Sequence, residues 1–165
     1  PANFTRFYEK YIDRNENELT AIKINNKILH QSKLINYFKK EEVDKKKITK
    51  DLNDLLKKVK KDKKYFFSKK DIILVEAFKS DGIKVSEKFK NLYKINKSEM
   101  PSDIQIFINN KDIATTMLRI VEVIGQDELK NIDDDTMYFI IEALNQLDIG
   151  LLRNKILLKV LPLKL

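Results

Sequence analysis

Apolar residues recur at helical spacing along almost the whole of this chain, and the residues that make turns are scarce. Three glycines and three prolines in 165 residues are too few for a turn-rich all-β fold. The apolar positions lie three or four residues apart, which places them on one side of an α-helix. The sequence therefore predicts an all-α fold of stacked antiparallel helical hairpins, either α-solenoid-like or an irregular helical bundle.

Four amphipathic helices are predicted before residue 98. Their inward residues are Phe4, Phe7, Tyr8 and Tyr11 in the first, Ile28, Leu29, Ile35 and Phe38 in the second, Leu52, Leu55, Leu56 and Val59 in the third, and Ile72, Leu74, Val75 and Phe78 in the fourth. Asn25 or Asn26 is the predicted N-cap of the second helix, and Thr49 precedes the third. Ser68 opens the fourth, and Asp71 follows it at capping-box spacing.

The C-terminal part of the chain has the most regular pattern. Polar residues before Met100-Pro101 predict a boundary between a basic helical region, 1–98, and a compact helical-hairpin unit, 99–165. Pro101 suits the first position of a helix, and Asp112 and Asp133 are predicted N-caps. Helix ends are expected at Gly82, Gly125 and Gly150. Six residues of this unit are expected to be buried together: Ile120, Ile124, Ile140, Ile141, Leu144 and Leu157.

Three stretches of this unit carry a family resemblance. They are Arg119-Ile-Val-Glu-Val-Ile-Gly125, Thr136-Met-Tyr-Phe-Ile-Ile141 with Leu144-Asn-Gln-Leu147, and Lys155-Ile-Leu-Leu-Lys-Val-Leu-Pro162. Together they resemble the C-terminal end of long, uncharacterised α-proteobacterial proteins built from helical-hairpin repeats. The resemblance covers about the last third of the chain. It implies an α-solenoid end and no catalytic residue.

Charge is distributed unevenly along the chain. Residues 1–98 contain 26 Lys+Arg and 14 Asp+Glu, whereas residues 99–165 contain 7 and 11. This asymmetry predicts either an anionic partner for the basic part or pairing between the two parts. Only four of the 33 basic residues are arginine, so lysine is the default surface residue of this chain and each one carries less meaning than an arginine would.

The segment Lys57–Lys70 is the one stretch whose pattern predicts binding. Its candidate contact residues are Lys57, Lys58, Lys60, Lys61, Lys63, Lys64, Tyr65, Lys69 and Lys70. Lysines neutralise phosphates and aromatic rings stack on bases, so nucleic acid is one expected partner, and an anionic membrane surface is another. The alternative is a solvated helix face and linker, with the aromatic side chains turned inward. Lysines that converge on one concave face would favour nucleic acid, and dispersed lysines beside an apolar groove would favour a protein.

No residue pattern predicts catalysis, a cofactor or a metal site. The chain has no cysteine, and its single histidine, His30, lacks partners for a triad or a multi-histidine metal site. We interpret His30 as a residue on a helix face with a hydrogen-bonded ring. Asp133-Asp134-Asp135 lacks the glycine and glutamate of an EF-hand loop, so we interpret it as an N-cap and an acidic first turn. The glycines are too widely spaced for a phosphate-binding loop.

The sequence thus favours a non-enzymatic helical interaction or scaffold module, and one such module is the C-terminal cap of a longer helical-repeat protein. A protein is its expected partner, and no small-molecule substrate is inferred. Two alternatives stay open: a nucleic-acid-binding accessory protein that acts through Lys57–Lys70, and a protein associated with a membrane surface. No apolar run approaches membrane-spanning length and no signal peptide is recognised, so a cytoplasmic location is the default expectation.

Overall fold

The fold is all-α, as the apolar spacing predicts. The computed structural model describes residues 22–93 and 99–164, and the predicted helix with Phe4, Phe7, Tyr8 and Tyr11 lies outside them. The α-helices are α1 (Lys45–Lys61), α2 (Lys69–Ser80), α3 (Lys90–Tyr93), α4 (Ser102–Asn109), α5 (Ile113–Ile124), α6 (Asp134–Gln146) and α7 (Gly150–Val160). The 3₁₀ helices are Leu29–Gln31, Lys33–Lys39, Glu87–Phe89 and Leu129–Asn131. Two short antiparallel strands, β1 (Ile22–Lys23) and β2 (Leu163–Lys164), pair Ile22 with Lys164 and Lys23 with Leu163.

Helix α2 is the central element of the described structure. It is buried on several sides, because its hydrophobic residues are spread around the helix rather than confined to one stripe. Its most extensive contact is with α6, and the 3₁₀ helix Leu29–Gln31 also packs against it. Phe78 of α2 stacks on Phe38 of the 3₁₀ helix Lys33–Lys39, with 4.8 Å between the ring centroids. Helix α7 covers that 3₁₀ helix in turn.

One hydrophobic cluster runs through the described residues on both sides of the predicted boundary at residue 98. It includes Leu52 and Leu56 of α1, Leu74 of α2 and Ile140 of α6. The six residues expected to be buried in the C-terminal unit all belong to it, each with at most 1% of its surface exposed: Ile120, Ile124, Ile140, Ile141, Leu144 and Leu157. That prediction is confirmed. The division into two regions stays a prediction.

The predicted polar caps of the later helices are confirmed. The side chain of Ser68 accepts a hydrogen bond from the backbone N–H of Asp71, and the carboxylate of Asp71 accepts one from that of Ser68, so both halves of the capping box form. Asp112 and Asp133 cap α5 and α6 by accepting hydrogen bonds from the backbone N–H groups of Thr115 and Thr136. Gly82 follows α2 with φ of +81°, a left-handed conformation that glycine adopts without strain.

Four predicted boundaries were wrong. The second helix is not one α-helix capped by Asn25 or Asn26, because two 3₁₀ helices meet at Ser32, whose hydroxyl donates to the carbonyl of Leu29 at 2.7 Å. Helix α1 begins at Lys45 with Asp44 as its N-cap, five residues before the predicted helix start after Thr49. Pro101 is the N-cap of α4 rather than its first residue. Gly150 does not end a helix but begins α7.

Candidate functional site

The predicted binding segment, Lys57–Lys70, is divided among three structural elements. Lys57, Lys58, Lys60 and Lys61 form the C-terminal end of α1, and Lys69 and Lys70 begin α2. Between the helices the backbone N–H of Tyr65 donates to the carbonyl of Asp62 at 3.0 Å, which closes a turn. The segment therefore presents its side chains in different directions, and only part of it is available to a partner.

Four lysines of α1 form a stripe on the side of the helix that faces solvent, and we call this stripe the lysine face. They are Lys46, Lys50, Lys57 and Lys61, all exposed. Their spacings of four, seven and four residues place them within about 60° around the helix and along about 22 Å of its axis. The opposite side, with Ile48, Leu52 and Leu56, is buried in the core. None of the four lysines makes an ion pair with another described residue.

The C-terminal end of the lysine face borders a recess of about 380 Å³. Its basic residues are Lys33, Lys57, Lys58 and Lys61, and its acidic residues are Asp51 and Asp54. Asp51 is already engaged, because it accepts a hydrogen bond from the Tyr37 hydroxyl at 2.9 Å and lies 3.5 Å from the Lys33 ammonium. Burial and the bond to Asp51 raise the pKa of Tyr37 to about 12. Three of the predicted lysines thus converge on one concave surface.

Three other predicted lysines contact the protein itself. The Lys60 ammonium donates to the backbone carbonyl of Lys88 at 2.8 Å. The Lys69 ammonium lies 2.9 Å from a carboxylate oxygen of Asp135, and that of Lys70 lies 3.8 Å from one of Asp134. These last two pairs link the N-terminal ends of α2 and α6. Lys63 and Lys64, in contrast, are exposed in the turn after α1.

Tyr65 belongs to a buried polar network rather than to a binding surface. Its hydroxyl donates to Asp71 Oδ2 at 2.8 Å and accepts from the backbone N–H of Leu29 at 2.8 Å. Burial, together with the negative charge of Asp71, raises the pKa of this hydroxyl well above its usual value. The other oxygen of Asp71 accepts from the backbone N–H of His30 at 3.0 Å. These hydrogen bonds to Asp71 thereby join both the 3₁₀ helix Leu29–Gln31 and the segment at Tyr65 to α2.

The His30 ring is hydrogen-bonded, as predicted, and its geometry does not match a catalytic relay. Asp71 Oδ1 lies 2.7 Å and Ser68 Oγ 3.4 Å from the same ring nitrogen, Nδ1. A nucleophile and an orienting carboxylate must contact opposite nitrogens of the ring for a proton to pass from one side to the other. The His30 ring is mostly buried, so we interpret this cluster as a structural one.

Two residue groups were missed by the sequence analysis. Lys46 and Lys50 lie on the lysine face outside the predicted segment, and their spacing from Lys57 is the signal that identifies them. Arg153 of α7 is 2% exposed and donates to Asp81 Oδ2 at 2.7 Å, to Asn145 Oδ1 at 3.1 Å and to a backbone carbonyl at 3.4 Å. No local pattern identifies it, since Asp81 is 72 residues away in the sequence.

Arg153 also borders a groove of about 470 Å³ between α7, α2 and the start of α1. Tyr37, Phe38 and Ile83 contribute apolar surface to the groove, and Leu151, which is 75% exposed, stands at its edge. Its charged residues balance: Lys40, Lys45 and Arg153 against Glu41, Asp81 and Asp148. The groove therefore selects no partner by charge, and the expected protein partner stays a prediction.

Metal ligands and membrane-spanning helices were also sought in residues 22–93 and 99–164. Within these ranges no three or more His, Asp or Glu side chains are grouped so that they would hold a metal ion. Asp133 acts as a helix cap, with a pKa lowered chiefly by the hydrogen bond from the backbone N–H of Thr136. No helix in these ranges has both the length and the apolar character needed to cross a bilayer.

Comparisons of the chain with protein-family models, with curated proteins and with solved structures found no match. The resemblance to α-proteobacterial helical-hairpin proteins stays a prediction. Any functional assignment must therefore come from the surface itself.

Proposed function

We propose that this chain is a non-enzymatic helical interaction module that binds nucleic acid through the lysine face of α1. The observation that supports the proposal is the alignment of Lys46, Lys50, Lys57 and Lys61 in one exposed stripe without ion-pair partners among the described residues. Duplex DNA carries one negative charge per about 1.7 Å of its axis, so a stripe about 22 Å long can neutralise several phosphates.

The positive charge at the N-terminal end of α1 opposes the stability of the helix, which also supports a binding role. The helix contains eight lysines and two aspartates, and its first turn is Lys45-Lys46-Lys47, at the end where the helix dipole disfavours positive charge. Lys46 and Lys50 repel each other at four-residue spacing, and so do Lys57 and Lys61. The Asp44 cap only partly offsets these effects. A bound polyanion would relieve this repulsion, so it should raise the melting temperature of the protein.

A charge-matched pair of variants tests the proposal. In the first, Lys46, Lys50, Lys57 and Lys61 are each replaced by glutamine. In the control, four exposed lysines away from this face are replaced by glutamine: Lys23, Lys27, Lys111 and Lys130. Both variants lose four positive charges, so only the position of the lost charge differs. Fluorescence anisotropy with labelled DNA and RNA is recorded from about 50 to 200 mM salt.

We expect the unmutated protein to bind with an affinity that falls steeply with salt, and the control to behave like it. The lysine-face variant should bind at least about tenfold more weakly at 150 mM salt. Its slope of log affinity against log salt should be smaller by about 3, since each phosphate contact contributes about 0.7 to 0.9. Equal losses in both variants would refute a specific face and leave only a net-charge effect.

A further inference from the structure

The segment after the lysine face contains an aromatic ring that is exposed to solvent between two partly buried neighbours. Phe66 is 84% exposed, more than the other large apolar residues of the described structure. Tyr65 on one side is anchored to Asp71, and Phe67 on the other packs against the core. The outward direction of Phe66 therefore follows from the inward direction of both neighbours.

The backbone on each side of Phe66 is fixed by hydrogen bonds. Before it, the N–H of Lys64 donates to Asp62 Oδ1 at 2.9 Å and the N–H of Tyr65 to the Asp62 carbonyl at 3.0 Å. After it, the Ser68 capping box begins α2. Phe66 is thus displayed by an ordered turn, although a ring left in water forfeits the stabilisation that burial would give. A residue kept exposed in this way is a candidate for contact with a partner.

The turn before Phe66 contains Asp62, Lys63 and Lys64, so it adds net positive charge next to the C-terminal end of α1. Lys63 and Lys64 are exposed, and neither makes an ion pair with another described residue. The turn brings the Cα atoms of Asp62 and Tyr65 to within about 7 Å, so the Cα atom of Phe66 lies within about 11 Å of that of Asp62, the C-cap of α1. One aromatic face next to a row of lysines is the arrangement that binds single-stranded nucleic acid, where lysines contact phosphates and rings stack on bases.

We propose that Phe66, flanked by Lys63 and Lys64, stacks on a base of single-stranded nucleic acid whose backbone follows the lysine face of α1. This inference rests on the proposed function and names its ligand more narrowly. In a duplex the bases are already stacked on each other, so the Phe66 ring has no exposed base face to contact. The protein should therefore prefer single strands to duplexes of the same sequence.

The structure favours nucleic acid over an anionic membrane. A helix that lies in the membrane interface buries its own apolar side in lipid. The apolar side of α1, with Ile48, Leu52 and Leu56, is instead buried in the protein core. Phe66 alone would then have to anchor the protein in the lipid. One inserted side chain buries too little apolar area to hold the protein on a membrane.

The test compares Phe66→Ala with Phe66→Trp, which keeps a stacking ring. Leu151→Ala is the matched control, because Leu151 is also largely exposed, at 75%, but belongs to a different surface. Each protein is titrated into a labelled single strand, its duplex, and heparin from about 50 to 200 mM salt, and the affinities are compared at 150 mM. We expect Phe66→Ala to lose about 5- to 150-fold in single-strand affinity, with duplex and heparin binding and the salt slope unchanged. Phe66→Trp should restore the affinity, and its fluorescence should be quenched when a base stacks on the indole.

Each outcome separates this inference from the proposed function. If the lysine-face variant loses binding but Phe66→Ala binds single strands normally, stacking is refuted and the proposed function stands. If the unmutated protein binds neither single strands nor duplexes, both are refuted. If Phe66→Ala loses binding to vesicles of anionic lipid while single-strand affinity is unchanged, a membrane surface replaces nucleic acid as the partner of this turn.

Discussion

At the scale of single residues, the buried charged groups of the described structure all make hydrogen bonds to other parts of the protein. No buried side-chain nitrogen or oxygen among the described residues lacks a hydrogen-bond partner. Asp71 and Arg153 are the most buried of these charged residues, at 0% and 2% exposure. Each joins distant parts of the chain, so each is a structural residue whose removal should affect folding rather than binding.

Arg153→Ala should lower the free energy of unfolding by about 2–4 kcal/mol. The substitution removes charged hydrogen bonds to Asp81 and Asn145, each worth about 1.5–3 kcal/mol at most, and leaves a cavity. The matched control is Arg119→Ala. Arg119 has a side chain 41% exposed that pairs with Asp103 and Glu122 in solvent, so its loss should destabilise the protein much less. Urea denaturation measures both, and equal losses would contradict a structural role for Arg153.

At the scale of elements, the helix caps make stability depend on pH. Asp133 accepts from the backbone N–H of Thr136 at 2.9 Å and from its hydroxyl at 2.7 Å. These bonds lower the pKa of Asp133 in the folded protein. Because the folded-state pKa lies below the unfolded value of about 3.9, the cap stabilises the protein above that pH. The stabilisation is lost as the pH falls through the folded-state pKa.

Asp133→Ala should therefore destabilise the protein by about 1 kcal/mol at pH 7, and by progressively less as the pH is lowered below about 4. Thermal melts of the protein and the variant from pH 7 to pH 3 measure the difference. Asp127→Ala is the control, since Asp127 is exposed in the loop after α5. It should change the melting temperature little at any pH. A difference that stays constant down to pH 3 would mean that the ionised cap is not the cause.

Helix starts were predictable where a short polar residue comes shortly before an apolar repeat and no run of three lysines separates the two. Ser68, Asp112 and Asp133 meet this condition, and all three are caps. Asp44 was missed because three lysines follow it, which is the reverse of the acidic first turn that usually marks a helix start. The second predicted helix failed at Ser32, whose side chain bonds to the backbone and interrupts the helix. Apolar spacing alone cannot show that interruption.

The residues of the candidate site were predictable only where helical spacing determines which side of a helix they occupy. Lys57 and Lys61 are exposed on one face because they lie opposite the buried residues of α1, a relation that the sequence contains. Tyr65 and Lys69 were assigned to binding because they are adjacent in sequence to the lysines. Their hydroxyl and ammonium groups bind instead to Asp71 and Asp135, and only the tertiary fold brings Asp135 near Lys69.

At the scale of the whole molecule, part of the charge asymmetry is used inside the fold. The sequence predicts either an anionic partner or pairing between the basic and acidic parts. Pairing does occur, because Lys69 and Lys70 contact Asp135 and Asp134. These contacts cross the predicted boundary at residue 98. The lysines of the lysine face make no such pairs with described residues. Pairing inside the fold therefore accounts for Lys69 and Lys70, and the expectation of an anionic partner applies to the lysine face.

The shared core predicts that the two predicted regions unfold together. Leu144 of α6 is 1% exposed and belongs to the same cluster as Leu74 of α2. Leu144→Ala should lower the free energy of unfolding by about 2–4 kcal/mol through lost burial and the cavity left behind. Leu151→Ala, at the exposed end of α7, should change it by less than about 0.5 kcal/mol.

Because unfolding of a small shared core is cooperative, amide hydrogen exchange of Leu144→Ala should accelerate in α1 and α2 as much as in α6. Faster exchange confined to residues 99–164 would show instead that the C-terminal unit unfolds independently, and would place a true domain boundary near residue 98.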